Sequence, residues 1–288
     1  MSKNHITIRI ISTIPDMVAE HYYFIKHVFP DLKEICLDHD IVLDYVDLFY
    51  SMTEKEFNSC RSVIRYFESI DSDRTFYVCF RGQKLGCVPT HEDIDRLTLQ
   101  KYPELVSYIG NMSFMELTVM HAIHPFEKCE NGEIQRLPPV KHSLFYFRDE
   151  HYLDMLSESQ QEIYTCKPEC DDEFVQDLKL AMAKDLIFQN KQELDGVKDS
   201  ISHINVRKYE GIWYENGDLM DIIEGYSQEY AKLKNQTLDD LPDYYKKFSF
   251  NNSKGNFVDF ICENKSLKEV MIEDFLSELK LEFPEKFN

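Results

Sequence analysis

The stretch RTFYVCFRG, Arg74 to Gly82, is apolar or aromatic on consecutive residues and bounded by charge and glycine. A strand alternates its side chains between two faces, so such a run has apolar groups on both. Both faces must then be covered, the situation of a central strand in a parallel sheet with helices above and below. HSLFYFRD, His142 to Asp149, repeats the pattern. Earlier, Ile6, Ile8, Ile10 and Ile11 form a short β-branched run that reads as a buried strand. Ser12 and Thr13 follow it, Pro15 suits a first helical turn, and from Met17 to Cys36 apolar residues recur at helical spacing. The unit is strand, polar elbow, helix.

The alternation continues along the chain. Asp40–Tyr50 supplies a second strand, and Thr53-Glu-Lys-Glu56 opens a helix as a capping box. The Arg74–Gly82 strand leads through a Gly/Pro loop to a polar helical piece over 91–109, then to a helix from Ser113 that Pro125 ends. Arg136–Pro139 is a linker before the fourth strand. A helix is expected over 171–192, a fifth strand in ISHINVRKYEG, mixed helix and aromatic loop over 212–254, an edge strand in GNFVDFICE, and a closing helix from Ser266. Five strands separated by helices predict an α/β, flavodoxin-like, doubly wound and mostly parallel sheet with helices on both faces and a C-terminal helical extension. The expected strand order is 2-1-3-4-5. The chain reads as one domain over 1–288, with a core at about 5–150 and additions at about 171–288.

Charge narrows the function classes. With 52 acidic against 32 basic residues the chain carries a formal charge of −20. That surface repels nucleic-acid phosphates and anionic membranes, so neither is an expected partner. Eight cysteines, no apolar leader and no apolar run of transmembrane length point to a cytoplasmic protein with reduced thiols. Cys166 and Cys170 lack a second pair at zinc spacing, and His121 and His124 read as helix-end histidines, so no metal site is expected.

Several stretches, in order, resemble the N-terminal Toll/interleukin-receptor-like domain that precedes NACHT NTPase modules in NACHT–WD-repeat proteins, with relatives in telomerase-associated and nephrocystin-type proteins. They are IISTIPDMVAEH, HVFPDLKEIC, VDLFYSMTEKE, GQKLGCVP, MSFMELTVMHA, FYFRD and VMIEDFLSELKLEFP. The match is dense to about Asp149 and at the last helix, and thin between. The resemblance implies the flavodoxin-like fold and action through a protein partner, self-association or a NACHT module in a longer chain. No phosphate-cradling G-x-x-x-x-G-K-[ST] occurs here.

Enzymatic Toll/interleukin-receptor domains cleave NAD with a glutamate near the start of a helix, which maps to Glu116. A carboxylate stabilises the oxocarbenium-like centre as the glycosidic bond breaks. Ser12, Thr13, Asp47, Arg81 and Gly82 gather at the same sheet rim and form the candidate nucleotide site. Each has a structural reading beside it. Ser113-x-x-Glu116 is itself a capping box. Ser12 and Thr13 suit an N-cap, Asp47 a turn, and Arg81 a surface ion pair. Departures from the family pattern, Phe49-Tyr50-Ser51, Leu85, Cys87 and Ile11, remove polar and aromatic groups that a nucleotide pocket would use. The expectation is a non-catalytic interaction and regulatory module with no cofactor; the alternative is an NAD-cleaving nucleosidase using Glu116, with NAD as its substrate.

Overall fold

The computed structural model describes residues 4–13, 16–47, 75–84, 86, 88–136, 142–155, 158, 161, 164–165, 192, 204–213, 257–262 and 265–287. The helix expected from Thr53, that over 171–192 except its last residue, and the mixed region 212–254 beyond Trp213 lie outside the described residues; Ile212 and Trp213 belong to a strand.

The chain opens with β1 (His5–Ser12) and passes into α1 (Val18–Tyr23), a π turn (Phe24–Val28) and α2 (Phe29–Asp38). The expected single helix therefore carries a widened turn. Pro30 explains its place: in an unbroken α-helix the ring would meet the carbonyl four residues back, and no N–H could bond to it. Then come β2 (Val42–Asp47) and β3 (Thr75–Arg81). The 91–109 stretch is broken into α3 (Arg96–Lys101), capped by Asp95, and a 3-10 turn at Pro103–Ser107. Proline at 103 disfavours helical geometry at Tyr102 and so ends α3. α4 (Phe114–Ile123) starts at Ser113 as expected. A small hairpin of β4 (Lys128–Glu130) and β5 (Glu133–Gln135) precedes β6 (His142–Arg148). A 3-10 turn at Glu150–Met155, β7 (Ile204–Trp213), β8 (Phe257–Cys262), β9 (Lys265–Ser266), α5 (Leu267–Glu282) and a 3-10 turn at Pro284–Lys286 follow.

The main sheet has the order β2-β1-β3-β6-β7-β8-β9. Its first five strands are parallel, in the order the sequence predicts, and β8 and β9 extend it antiparallel. Alternation along β1, β3 and β6 divides the core in two. Ile8, Ile10, Phe76, Val78, Phe80 and Leu144 face the α1–α2 segment and α5. Ile11, Tyr77, Cys79, Phe145 and Phe147 face α4 and the Tyr102–Leu105 turn. The consecutive apolar run of β3 is buried at every residue.

α5 binds the sheet through more than apolar contact. Asp274 and Glu278, one turn apart, are buried on its inner face beside Phe275 and Leu279. His142 meets Glu278 through Nδ1 at 2.8 Å and Glu282 through Nε2 at 3.2 Å. Asp274 accepts from Arg207 Nη2 at 2.7 Å and from the Tyr146 hydroxyl at 3.2 Å. Burial and the adjoining Asp274 carboxylate push the Tyr146 phenol well above its ordinary pKa. Satisfied polar pairs of this kind fix the helix in one register against the strands.

Candidate functional site

β2 lies on one side of β1 and β3 on the other. The strand order therefore reverses at β1, and the crevice at the C-terminal ends of β1 and β3 is where such sheets place ligands. Ser12 and Thr13 leave β1 there, and Arg81 and Gly82 leave β3, with Ser12 paired in register to Phe80. Asp47 ends β2 level with Ile10. The sequence thus brings its candidate residues to one rim.

The rim is tightly closed. A Cβ on Gly82 would lie 2.3 Å from Met17 Cε and 2.9 Å from Asp16 Oδ2, so a larger residue at the exit of β3 would push these two buried side-chain ends aside. Gly86, at φ +86°, would place a Cβ 3.2 Å from Thr13 Cγ2 and 3.6 Å from Met115 Cγ. The loop after β3 thus crosses Thr13 and reaches the first turn of α4.

Charged side chains that the sequence reading passed over fill this region. Arg148, the last residue of β6, is buried and pairs through Nε with Glu20 Oε1 at 2.8 Å. Its Nη2 donates to the main-chain oxygen of Asp16 at 2.5 Å and lies 2.9 Å from Met17 Sδ. The guanidinium also sits 5.1 Å from the Tyr164 ring centroid. Arg81 is 1% exposed, so the surface ion pair expected for it is corrected to a core position. Asp16, 1% exposed, has its pKa pushed up to about 6. Burial is the main cause, opposed by the charges of Arg148 and Lys84 and by the Thr13 hydroxyl. The signals for these groups were present, in the Asp-Met-x-x-Glu of α1 and the Arg-Asp ending β6. Their meeting depends on strands far apart in the chain.

Ser12 and Thr13 do not cap the helix. The N-cap of α1 is Met17, with no side-chain hydrogen bond. Ser12 Oγ instead bonds His21 Nε2 within the buried cluster. Beyond Arg148, Asp149 accepts from the His151 main-chain N–H at 2.9 Å, and its other oxygen meets Lys208. Burial raises the Asp149 pKa, but the bonds from His151 and Lys208 outweigh it and hold the group at about 2.

Glu116 is 2% exposed. Its Oε2 accepts from the Ser113 N–H at 2.8 Å while Ser113 Oγ accepts from the Glu116 N–H at 3.3 Å, completing both halves of the capping box. His121 and His124 part company: His121 is buried and accepts from the Phe126 N–H at 2.9 Å, whereas His124 is exposed at the helix end. Among the described residues no group of three or more His, Cys, Asp or Glu is placed to hold a metal ion. Cys166 and Cys170 lie outside them. No described helix is long and apolar enough to cross a membrane.

No family model matches the chain, and no solved structure matches it. Among curated proteins, it is 21% identical over 238 residues to a TPR repeat-containing protein of Dictyostelium discoideum, covering 79% of this chain and 13% of that protein. It is 27% identical over 169 residues to telomerase protein component 1 of Mus musculus, covering 54% of this chain and 6% of that one. The Rattus norvegicus counterpart gives 26% over 170 residues, with the same coverage of 54% and 6%. This is distant, partial homology, and the chain spans 13% or less of these relatives' lengths.

Proposed function

We propose that this chain is a Toll/interleukin-receptor-like interaction and regulatory module, working in the cytoplasm by contact with a protein partner or with a second copy of itself. It would serve either within a NACHT-type signalling protein or as a stand-alone relative. The observation that carries the reading is the filled rim. At the position where an α/β sheet offers a ligand crevice, Arg148, Glu20 and Asp16 are buried against one another. Glycosidic cleavage needs a carboxylate facing the ribosyl carbon, and the Glu116 carboxylate is engaged at the start of its own helix.

The much longer relatives support a module that works beside other modules. One of them is named for TPR repeats, stacked helix pairs whose concave surfaces bind other proteins. A formal charge of −20 disfavours nucleic acid as the alternative partner.

Light scattering across micromolar concentrations tests the proposal, first on the chain alone and then with a NACHT NTPase segment added. Concentration-dependent self-association or a stoichiometric complex supports it. A strict monomer in both arms overturns it.

A further inference from the structure

The small hairpin takes no part in the rim, and its outer edge is open. α3 packs against β4, so β5 carries the free edge, and among the described residues β5 pairs with β4 alone. Every residue from Asn131 to Arg136 is exposed, Ile134 at 64%. Asn131 and Gly132, at φ +54° and +82°, make a two-residue turn, which closes with Glu130 and Glu133 as a hydrogen-bonded pair. Bonded and non-bonded pairs alternate along an antiparallel ladder, so the N–H and C=O of Ile134, opposite Cys129, point away from β4. An edge with an apolar side chain at its middle and no proline is a template for another strand. The two faces of the hairpin say which strand fits. On one, Ile134 lies opposite Cys129, which lines a cleft with Leu97 of α3, itself 76% exposed. This apolar stripe stops at β5. On the other face Lys128 stands opposite Gln135 and Glu130 opposite Glu133, so donors gather at one end and carboxylates at the other. A second hairpin turned end for end sets donors against carboxylates.

We propose that β5 pairs with β5 of a second copy of this chain, antiparallel about a two-fold axis at Ile134, making the two hairpins one four-stranded sheet. Such an axis keeps every residue on its own face, so the pairing centres on a residue, and Ile134 is the one in β5 whose backbone groups point outward. The two Ile134 residues exchange both of their N–H···O=C bonds and set their side chains side by side. The apolar stripe then runs from Leu97 of one copy to Leu97 of the other. Glu133 of each copy meets Gln135 of the other, with Lys128 one strand beyond, and no like charges stand directly opposite across the new pair. A contact of this size belongs with weak, transient interfaces. The −20 charge of each copy opposes approach but is screened beyond about 8 Å at physiological salt, whereas strand pairing acts within hydrogen-bond reach. The pairing rests on the reading of the chain as an interaction module and names the contact that self-association uses.

Sedimentation equilibrium on the full chain at physiological salt, from about 10 μM to about 1 mM, tests it. The wild-type chain should dimerise within that range. Ile134→Lys sets two ammonium groups against each other at the centre and should weaken the dimer at least tenfold, while Ile134→Val should leave it unchanged. Gln135→Glu puts a carboxylate opposite Glu133 twice over and should weaken it about tenfold; adding a Glu133→Lys chain should restore association as a heterodimer. All three side chains are exposed, so the variants should melt as the wild type does. A wild-type chain that stays monomeric throughout, a dimer that Ile134→Lys leaves intact, or a Gln135→Glu chain that associates as tightly as wild type would each overturn the pairing. The interaction-module reading outlives those results where the chain still dimerises through another face or binds a NACHT NTPase segment, and falls with the pairing where it does neither.

Discussion

Replacing Arg148 by methionine removes the cation that holds the rim together. In the native chain the guanidinium lies against Glu20 at 2.8 Å, with Glu20 fully buried. Methionine fills much of the aliphatic volume but leaves the Glu20 charge without its counter-ion. Breaking a buried pair from one side costs about 3–5 kcal/mol, because the remaining charge stays desolvated. Loss of the contact with the Tyr164 face, at about 0.5–2 kcal/mol, is counted inside that total. Against a domain stability of about 5–15 kcal/mol this is a severe loss. At about 2–4 °C per kcal/mol, the melting temperature should fall by roughly 10 °C. Urea denaturation followed by circular dichroism gives the free energy directly. The double variant Arg148→Met, Glu20→Met removes both charges and should recover most of the loss, since an apolar pair of similar volume can replace a buried ion pair at little cost. A single variant within about 1 kcal/mol of wild type would refute the reasoning, as would a double variant worse than the single one.

Other outcomes follow from the same geometry. Glu116→Gln should cost no more than about 1 kcal/mol by thermal melt, because a capping box accepts either side chain at that position. Asp149, held at about 2 against an ordinary 3.8, stabilises the folded state above about pH 4, and that contribution is lost as pH falls from 4 to 2. His151→Ala removes the side-chain bond and keeps the main-chain one, so stability should drop above about pH 4, where Asp149 is ionised, and converge with wild type near pH 2, making the acid limb shallower, as acid titration followed by fluorescence would show. The fragment 150–288 should give no cooperative thermal transition, since β7 takes its parallel partner from β6; a sharp melt of that fragment would contradict the single-domain reading.

The sheet was legible because burial on both faces leaves an unmistakable mark. The consecutive apolar residues of β3 and β6 could be neither solvent-facing strands nor amphipathic helices. The β4–β5 hairpin was not read, because its strands are three residues long and largely exposed and carry no apolar period. Its signal was the dipeptide Asn131-Gly132, both at positive φ, the chemistry of a tight two-residue turn. Asp274 and Glu278 escaped notice for a different reason: an acid on a helix counts toward the wet face unless its partner is known. Here the partners are His142, Tyr146 and Arg207, more than sixty residues away in sequence. The candidate site followed the same division. Ser12, Thr13, Arg81 and Gly82 were placed correctly at the rim by strand ends alone. That the rim is packed shut by Arg148, Glu20 and Asp16 is a property of three elements meeting, which no local pattern encodes.

The central claim is that this rim does not perform chemistry, and turnover of NAD tests it most directly. The full chain, at high concentration so that any assembly can complete the site, is incubated with NAD beside its Glu116→Gln variant, and free nicotinamide is measured by chromatography. The closed rim and the engaged Glu116 carboxylate predict no nicotinamide above the protein-free control from either protein. Release by the wild-type chain that a stably folded Glu116→Gln variant abolishes would contradict the account and make Glu116 a catalytic residue.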